Sequence, residues 1–473
     1  MRTSQRMWAW LQHPAPLRLA PYLLLALLLR LPAVLFADGF DFPDQQYQYI
    51  DPAWHLATGA AWHRTWEWQA GMRSWVYPEL LAAVFRGLGA LGCTEPMATM
   101  RAVRAVHALW SLLPMVMFWL VVVRWRPVAR PRPALLWFVL SGLLVLQVQP
   151  SGPSFAATLA VAAVLAAQGP GWWPAFGGLC LGFAFCGRFQ DALYGPGVVL
   201  ALAWQRRSGA AAAFTVACLP GIVTQGLSDL SMGGGFLSSP LANLRVNVGD
   251  GAAAGWTTQP WWFFWLAGVV PVCVFVPPLL RDAWRRFAAG ATLLPVATVA
   301  ALGHLLAHSC IARKALRFEY ASLAMLSAVL LAGLGAADGR RATWHLRLFG
   351  LVHGGLFVWA SFAFGNAGAV RATLWLRDHP GPGQQVFVVD APATVLGGFY
   401  YLRPEADRVR AVQSGELAAL VAAGQLPVGA VLVTARKELA VVVPGARFEL
   451  EGSFPGQFDL RRGERRLVYR RRE

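Results

Sequence analysis

Apolar residues in this chain do not alternate with polar ones; they come in long unbroken runs. Runs of roughly 17–22 residues recur through most of the chain, and a helix needs about 20 such residues to cross a hydrocarbon layer of about 30 Å. Without a period of two the runs read as helices rather than barrel strands, because lipid offers the backbone no other partner. The pattern predicts about eleven spans, at 19–36, 102–123, 134–148, 155–168, 172–186, 192–204, 210–227, 261–280, 288–307, 320–337 and 346–364. A basic start precedes the first run, which is read as an uncleaved helix rather than a signal peptide because it is long and many spans follow.

Two long polar stretches interrupt this pattern. One, 37–101, follows the first span and carries an interfacial helix, or a further span, near 77–91. The other runs from about 228 to 259. After about residue 371 the pattern changes. GQQVFVVDAP, GAVLVTA and ARFELEG read as strands, and SGELAALVAAG as a short helix ended by Gly424. The division expected is a membrane domain, 1–370, and a small soluble α/β domain, 371–473. The closing RRLVYRRRE reads as a solvated tail or a lipid-headgroup contact.

Composition adds the solvent. Hydrophobic residues make up 56% and charged residues 14%, with a mean hydropathy of +0.46; soluble domains carry about 25% charged residues. The net charge of +17 comes almost wholly from arginine, Lys314 and Lys437 being the only lysines. A nucleic-acid partner is not expected, because the arginines cluster between apolar runs. Arg2, Arg6 and Arg18; Arg124, Arg126, Arg130 and Arg132; Arg206 and Arg207; Arg281, Arg285 and Arg286; and Arg340, Arg341 and Arg347 share one face if the span count holds. That face is then cytoplasmic. Both long loops, the stretch around His308 and the C-terminal domain face outward. Cys180, Cys186, Cys218 and Cys273 read as small core side chains, while Cys93 and Cys310 would be able to pair.

The first outer stretch holds the most chemistry. DGFDFPDQQYQYIDPAW sets Asp38, Asp41, Asp44 and Asp51 directly behind the first span. A carboxylate at the edge of the hydrocarbon is partly desolvated and makes a usable general base; acids also simply favour turns. Further on, HRTWEWQAGMRSWVYPELL interleaves Trp66, Trp68, Trp75 and Tyr77 with Glu67 and Arg73. Such a surface suits a sugar or a headgroup, and equally an interfacial aromatic belt.

Those two stretches resemble the signature of glycosyltransferase family 22, the lipid-linked-sugar mannosyltransferases of GPI-anchor and N-glycan precursor assembly. Asp44 takes the place of the motif's Asp; Thr65, Trp66, Glu67, Trp68, Arg73, Ser74, Tyr77 and Pro78 match the rest. Asp51 stands where Glu is usual, and Gln45 replaces an acidic neighbour, which leaves Asp44 as the better base. FCGRFQDALYGP places Arg188 like the family's arginine after a span. SPLANLRVNVGDGAAAGWTTQPWWFF resembles a family loop, with Asn243, Asn247, Val248 and Pro260 matching and Gln259 in place of His. HSCIARKALRFEY resembles a basic segment, with His308, Lys314, Arg317 and Phe318 in correspondence and Ala315 where Glu is common.

The resemblance implies a GT-C fold, an all-α polytopic membrane protein with a catalytic outer loop after the first helix. It implies a polyprenyl-phosphate-linked sugar donor, mannose by family, and a glycolipid or glycan acceptor, and it gives no reason to expect a divalent metal or other cofactor. Asp44 is the expected general base of an inverting single displacement. Lys314, Arg317, His308 and Arg188, with Arg313 beside them, are expected at the donor phosphate, since guanidinium pairs with phosphate by two donors and lysine as a point charge; lipid-headgroup contact is the plainer reading of the same group. Asp51, Trp66, Glu67, Arg73 and Gln259 are expected at the acceptor or sugar. A transporter or flippase is the rival class. It would place its ionisable groups near the bilayer midplane, whereas most acids here lie in outer loops. A membrane scaffold presenting the C-terminal domain is a third. The arginine-, alanine- and glycine-rich composition suggests a bacterial plasma membrane with a periplasmic active face; in a eukaryote the face would be the lumen of the endoplasmic reticulum.

Overall fold

A computed structural model describes residues 18–40, 42–250, 258–273, 280–336, 341–362, 366–379, 385–389, 396–402, 409–434, 447–455 and 465–472. Asp41 and most of the eighth span's second half lie outside them. Contacts group the chain into two units, both discontinuous in sequence: 1–31, 70–77 and 104–360 in the first, and 32–69, 78–103 and 361–473 in the second. Most of the acidic stretch after the first span and the C-terminal region thus share the second unit. The boundary expected near residue 370 falls inside a helix, Ala367–Asp378.

The first unit is built of helices, and a helix occupies the described part of every predicted span. Their lengths differ from the expectation. Among the described residues four helices are long and apolar enough to cross a membrane: Pro96–Trp125, Ser208–Ser231, Leu316–Gly335 and His345–Asp378, the last passing over 363–365, which lie outside the described residues. Pro131–Leu146, Gly152–Ala166 and Trp173–Gly187 are apolar but shorter. Fifteen residues of helix reach only about 22 Å, so eleven full-length spans are not reached on this criterion.

The predicted span 288–307 is also not one rod. Arg281–Leu293 and Pro295–Ser309 meet at 113°. Pro295 has no N–H to donate, and it drives Leu294 out of the helical region, to φ −121° and ψ 56°. A second break, at Ser111 and Leu112, precedes Pro114. Here Arg30, fully buried, donates to the Ser111 hydroxyl (2.5 Å), the Ser111 carbonyl (3.1 Å) and the Ala26 carbonyl (2.8 Å). The guanidinium satisfies acceptors that the broken helix leaves open.

Small residues let these helices approach closely. Gly152–Ala166 is buried at all but one of its positions, and a Cβ added at Gly177 would meet the Ala163 carbonyl at 2.6 Å. The tightest crossing pairs Gly290 with Gly333: a Cβ at Gly333 would overlap the Arg286 carbonyl oxygen, and one at Gly290 the Val329 carbonyl oxygen. Close backbone approach over small residues is how helices associate in lipid. Gly333→Ala is therefore expected to lower stability by about 1–3 kcal/mol, as overpacking does, seen as earlier thermal unfolding in detergent. Gly354→Ala, with open space at its Cβ, serves as the neutral control.

In the second unit five strands among the described residues form one mixed sheet in the order β2-β1-β3-β5-β4. β1 (Val386–Val389), β2 (Val409–Val412) and β3 (Val431–Thr434) run parallel; β5 (Arg466–Arg471) lies antiparallel between β3 and β4 (Phe448–Phe454). Val386, Val388, Val431, Val433 and Val468 pack on one face against Ala372 and Leu376 of Ala367–Asp378, while Phe387, Val389 and Leu432 pack on the other against Leu417 and Leu426. Burial on both faces explains the unbroken apolar run VFVV. The closing RRLVYRRRE is thus a strand inside the sheet and not a free tail. Arg470 and Arg472 pair with Glu451 and Glu449 of β4, and Arg471 between them donates to the Leu426 carbonyl, so the arginines are held without leaving the ladder. All six cysteines are free thiols, Cys93 and Cys310 included.

Candidate active site

The acidic motif belongs to the second unit. Pro43–Gln45 forms a helical turn, Gln46–Ile50 a π turn, and Asp51–Thr58 a helix stopped by Gly59 in the left-handed region (φ +76°). Residues Gln45 to Ala53 are all buried. Of the motif's two carboxylates, Asp44 alone is partly exposed.

Asp51 is 1% exposed and turned inward. Its oxygens accept from the Gln46 amide (2.7 Å) and from the backbone N–H groups of Phe399 (2.9 Å) and Tyr400 (3.0 Å). Burial raises its carboxyl from 3.8 to about 6, against the lowering effect of these three donors. Gly398 makes the approach possible: at φ +115° it sits so close to Gln46 that a Cβ would overlap that side chain. Tyr47 lies beside Asp51 and donates to the Leu396 carbonyl at 3.3 Å; burial pushes its hydroxyl well above the usual range. Gln48 donates to Glu67 at 2.9 Å, which buries that carboxylate, while Trp66 on the same turn stays exposed. Trp54 meets the Phe85 and Tyr400 rings edge-on. Asp51 and Glu67 are thus buried and hydrogen-bonded, while Asp44 is partly exposed and Trp66 exposed.

The basic segment belongs to the first unit. Gln259 donates its N–H to the Ala312 carbonyl (3.1 Å), and its carbonyl accepts from Lys314 Nζ (3.0 Å). Thr258 bridges to Arg313. The two resemblance segments, far apart in sequence, are thereby joined. Arg188 and Arg317 both lie over the Phe318 ring, at 4.9 and 5.4 Å, a cation–π arrangement. Arg188 also binds Asp191 (3.0 Å) and the Phe318 carbonyl. His308, 3% exposed, bonds through Nδ1 to Glu319 at 2.6 Å. Lys314, Arg317, Arg188, His308 and Gln259 therefore come together, although Arg188 and His308 each already face an acid of the protein. Arg73, half-buried, sits on a segment tied down by Ser74 to Gln225 (2.6 Å) and by Asn243 to the Met72 carbonyl (3.3 Å). Gln190 reaches Asn243 at 3.2 Å, and Asn247 donates to the Asn243 carbonyl at 3.0 Å.

Sequence reasoning did not single out His304, Glu319 or Asp191. The available signal was GHLLAHS, two histidines four residues apart on one face of an apolar helix. Nothing local marks Glu319 or Asp191 as their partners.

The long apolar helices mark an integral membrane protein. Its fold is that of ArnT from Cupriavidus metallidurans: the crystal structure of that protein bound to undecaprenyl phosphate superposes with a TM-score of 0.59 at 13% identity, over 95% of this chain and 97% of the other. The apo structure of the same protein gives 0.58 at 12%, with the same coverage. The chain belongs to the Alg9-like mannosyltransferase family, whose sequence model matches residues 22–372. Two curated relatives, GPI mannosyltransferase 3 of Drosophila melanogaster and of Yarrowia lipolytica, are 35% identical over 88 residues and 34% over 82. These matches span 19% and 17% of this chain, and 16% of each relative's length.

Proposed function

We propose that this protein is a glycosyltransferase that moves a hexose, mannose by family, from a polyprenyl-phosphate donor to a hydroxyl of a glycolipid or glycan. The observation that carries the reading is the family match over residues 22–372 with Asp44 at the motif's acid position, the one motif carboxylate left partly exposed. Asp44 takes the proton of the acceptor hydroxyl. The oxygen attacks the anomeric carbon, the bond to the donor phosphate breaks, and the configuration inverts through an oxocarbenium-like transition state, as in single-displacement sugar chemistry. The electron pair leaves with the phosphate. Lys314 and Arg317 stabilise the growing charge on that group, a contribution commonly among the largest in such reactions. Arg188 and His308, each bound to an acid, hold the cluster's shape. Trp66 offers a face for the sugar.

The test is transfer in detergent, where no compartments exist and a transporter has nothing to do. Purified protein with polyprenyl-phosphate mannose and a glycolipid extract is expected to yield a mannosylated lipid by mass spectrometry. Absence of product with every polyprenyl-phosphate hexose offered, from protein that remains monodisperse, would remove the assignment.

A further inference from the structure

His304 lies between two carboxylates. Its Nδ1 is 3.0 Å from Glu319 Oε2, and its Nε2 is 3.9 Å from Asp191 Oδ1. A neutral imidazole has one N–H and one lone pair, so in either tautomer it turns a lone pair toward an anion. His308, one turn further along Pro295–Ser309, brings its own Nδ1 to the other oxygen of Glu319 at 2.6 Å. All three side chains are buried, His304 and Glu319 at 0% exposure. Arg188 balances Asp191 at 3.0 Å. Among the described residues Glu319 pairs with the two imidazoles and with no lysine or arginine, so its charge is balanced only by a cation held at the imidazoles. The Nε2 atoms of both histidines are buried with no hydrogen-bond partner among the described residues.

We propose that His304 Nδ1, His308 Nδ1 and Glu319 bind a divalent transition-metal ion of zinc-like preference. Two imidazoles and a carboxylate are a common zinc set. The candidate ligand atoms lie within 4.8 Å of one another. Ligand atoms around tetrahedral zinc stand about 3.4 Å apart, given bonds of about 2.1 Å. The two acid–imidazole pairs, at 3.0 and 2.6 Å, need only a small expansion to reach that. The surroundings have the form of a metal's outer shell. With the ion on Nδ1, the Nε2 proton of His304 faces Asp191, and Arg188 fixes Asp191, the carboxylate–histidine–metal order that orients such ligands. Ser322 Oγ stands 3.1 Å from His304 Nδ1 and bonds to the Tyr194 hydroxyl at 2.7 Å, a candidate fourth ligand. The Tyr194 ring stacks on His304 at 4.0 Å, and the two histidine rings lie 4.2 Å apart, so neither swings freely. The ion would join Pro295–Ser309 to the start of Tyr320–Ala336, across the loop that carries Lys314 and Arg317. The competing occupant is a proton, which would make one histidine an imidazolium.

Metal content separates the two, and it does not depend on the sugar-transfer reading. Full-length protein in detergent, purified without chelator, equilibrated with zinc chloride and desalted, is expected to hold about one zinc per chain by plasma mass spectrometry. Glu319→Gln keeps the side-chain shape and removes the charge; it and His308→Ala are expected to bind zinc roughly tenfold or more weakly. In case the variants do not fold, wild-type protein is also loaded with cobalt(II), where the visible absorption of a low-coordinate nitrogen–oxygen site, displaced by zinc, is expected. Folded wild-type protein that retains no zinc and gives no such spectrum overturns the proposal. So does zinc binding unchanged in folded Glu319→Gln.

Discussion

Asp44→Asn is expected to abolish sugar transfer while the protein still inserts, folds and elutes as the wild type does. The replacement is nearly isosteric and removes only the ability to take a proton. Asp44 sits on a short turn, partly exposed, so the change leaves no buried charge unpaired. General-base catalysis is commonly worth about 10²–10⁴-fold, and the initial rate of product formation in detergent should fall by at least that range's lower end. Lys314→Ala and Arg317→Ala should slow the reaction through the departing phosphate instead, with the loss least for donors carrying a better leaving group. An Asp44→Asn protein that keeps roughly a tenth of wild-type activity would end the base assignment. The family membership would survive it.

Asp51 is expected to behave differently, as a group that ties the acidic stretch to residues 399 and 400. Its carboxyl is raised from 3.8 to about 6 because burial outweighs three hydrogen bonds. The folded state therefore binds the proton more tightly than the unfolded one. The resulting stability is fully present below about pH 4 and is lost as pH rises through about 6, for a total of about 3 kcal/mol at 1.36 kcal/mol per pH unit. Asp51→Ala removes the acceptor of the Phe399 and Tyr400 N–H groups and of the Gln46 amide, at about 1–3 kcal/mol for each donor left unsatisfied. The two effects oppose each other at neutral pH. The destabilisation of Asp51→Ala should thus be largest at about pH 4 and narrow as pH rises through about 6, measured as the difference in thermal unfolding of the full chain. A difference constant across that range would mean that Asp51 ionises as freely in the folded protein as in the unfolded one.

The outcome at Asp51 shows where the sequence stopped being informative. DPAW after a tyrosine-rich stretch reads equally as a sugar-binding acid and as a structural one, and the backbone donors that Asp51 meets come from residues 399 and 400, about 350 positions away. Glu319 is hidden in the same way. RFEY gives no hint that this acid meets two histidines rather than solvent. The terminal basic run reads as a tail because each arginine is judged alone; only the pairing of Arg470 and Arg472 with β4 makes it legible as a strand. Gln259 and Lys314, by contrast, were picked out by resemblance, and the structure joins their segments through two backbone carbonyls.

The sequence by itself determined the solvent, the helical state, the position of the long apolar helices and the family. These follow from the period and length of apolar runs, and from a motif of adjacent residues, all of which are local. Tertiary structure alone decided which carboxylates are enclosed, where helices break or fall short of a span, that the acidic stretch packs with C-terminal residues, and that His304, His308 and Glu319 converge. Those outcomes depend on desolvation and on the choice of partner for each polar group, and both are set by segments distant in the chain.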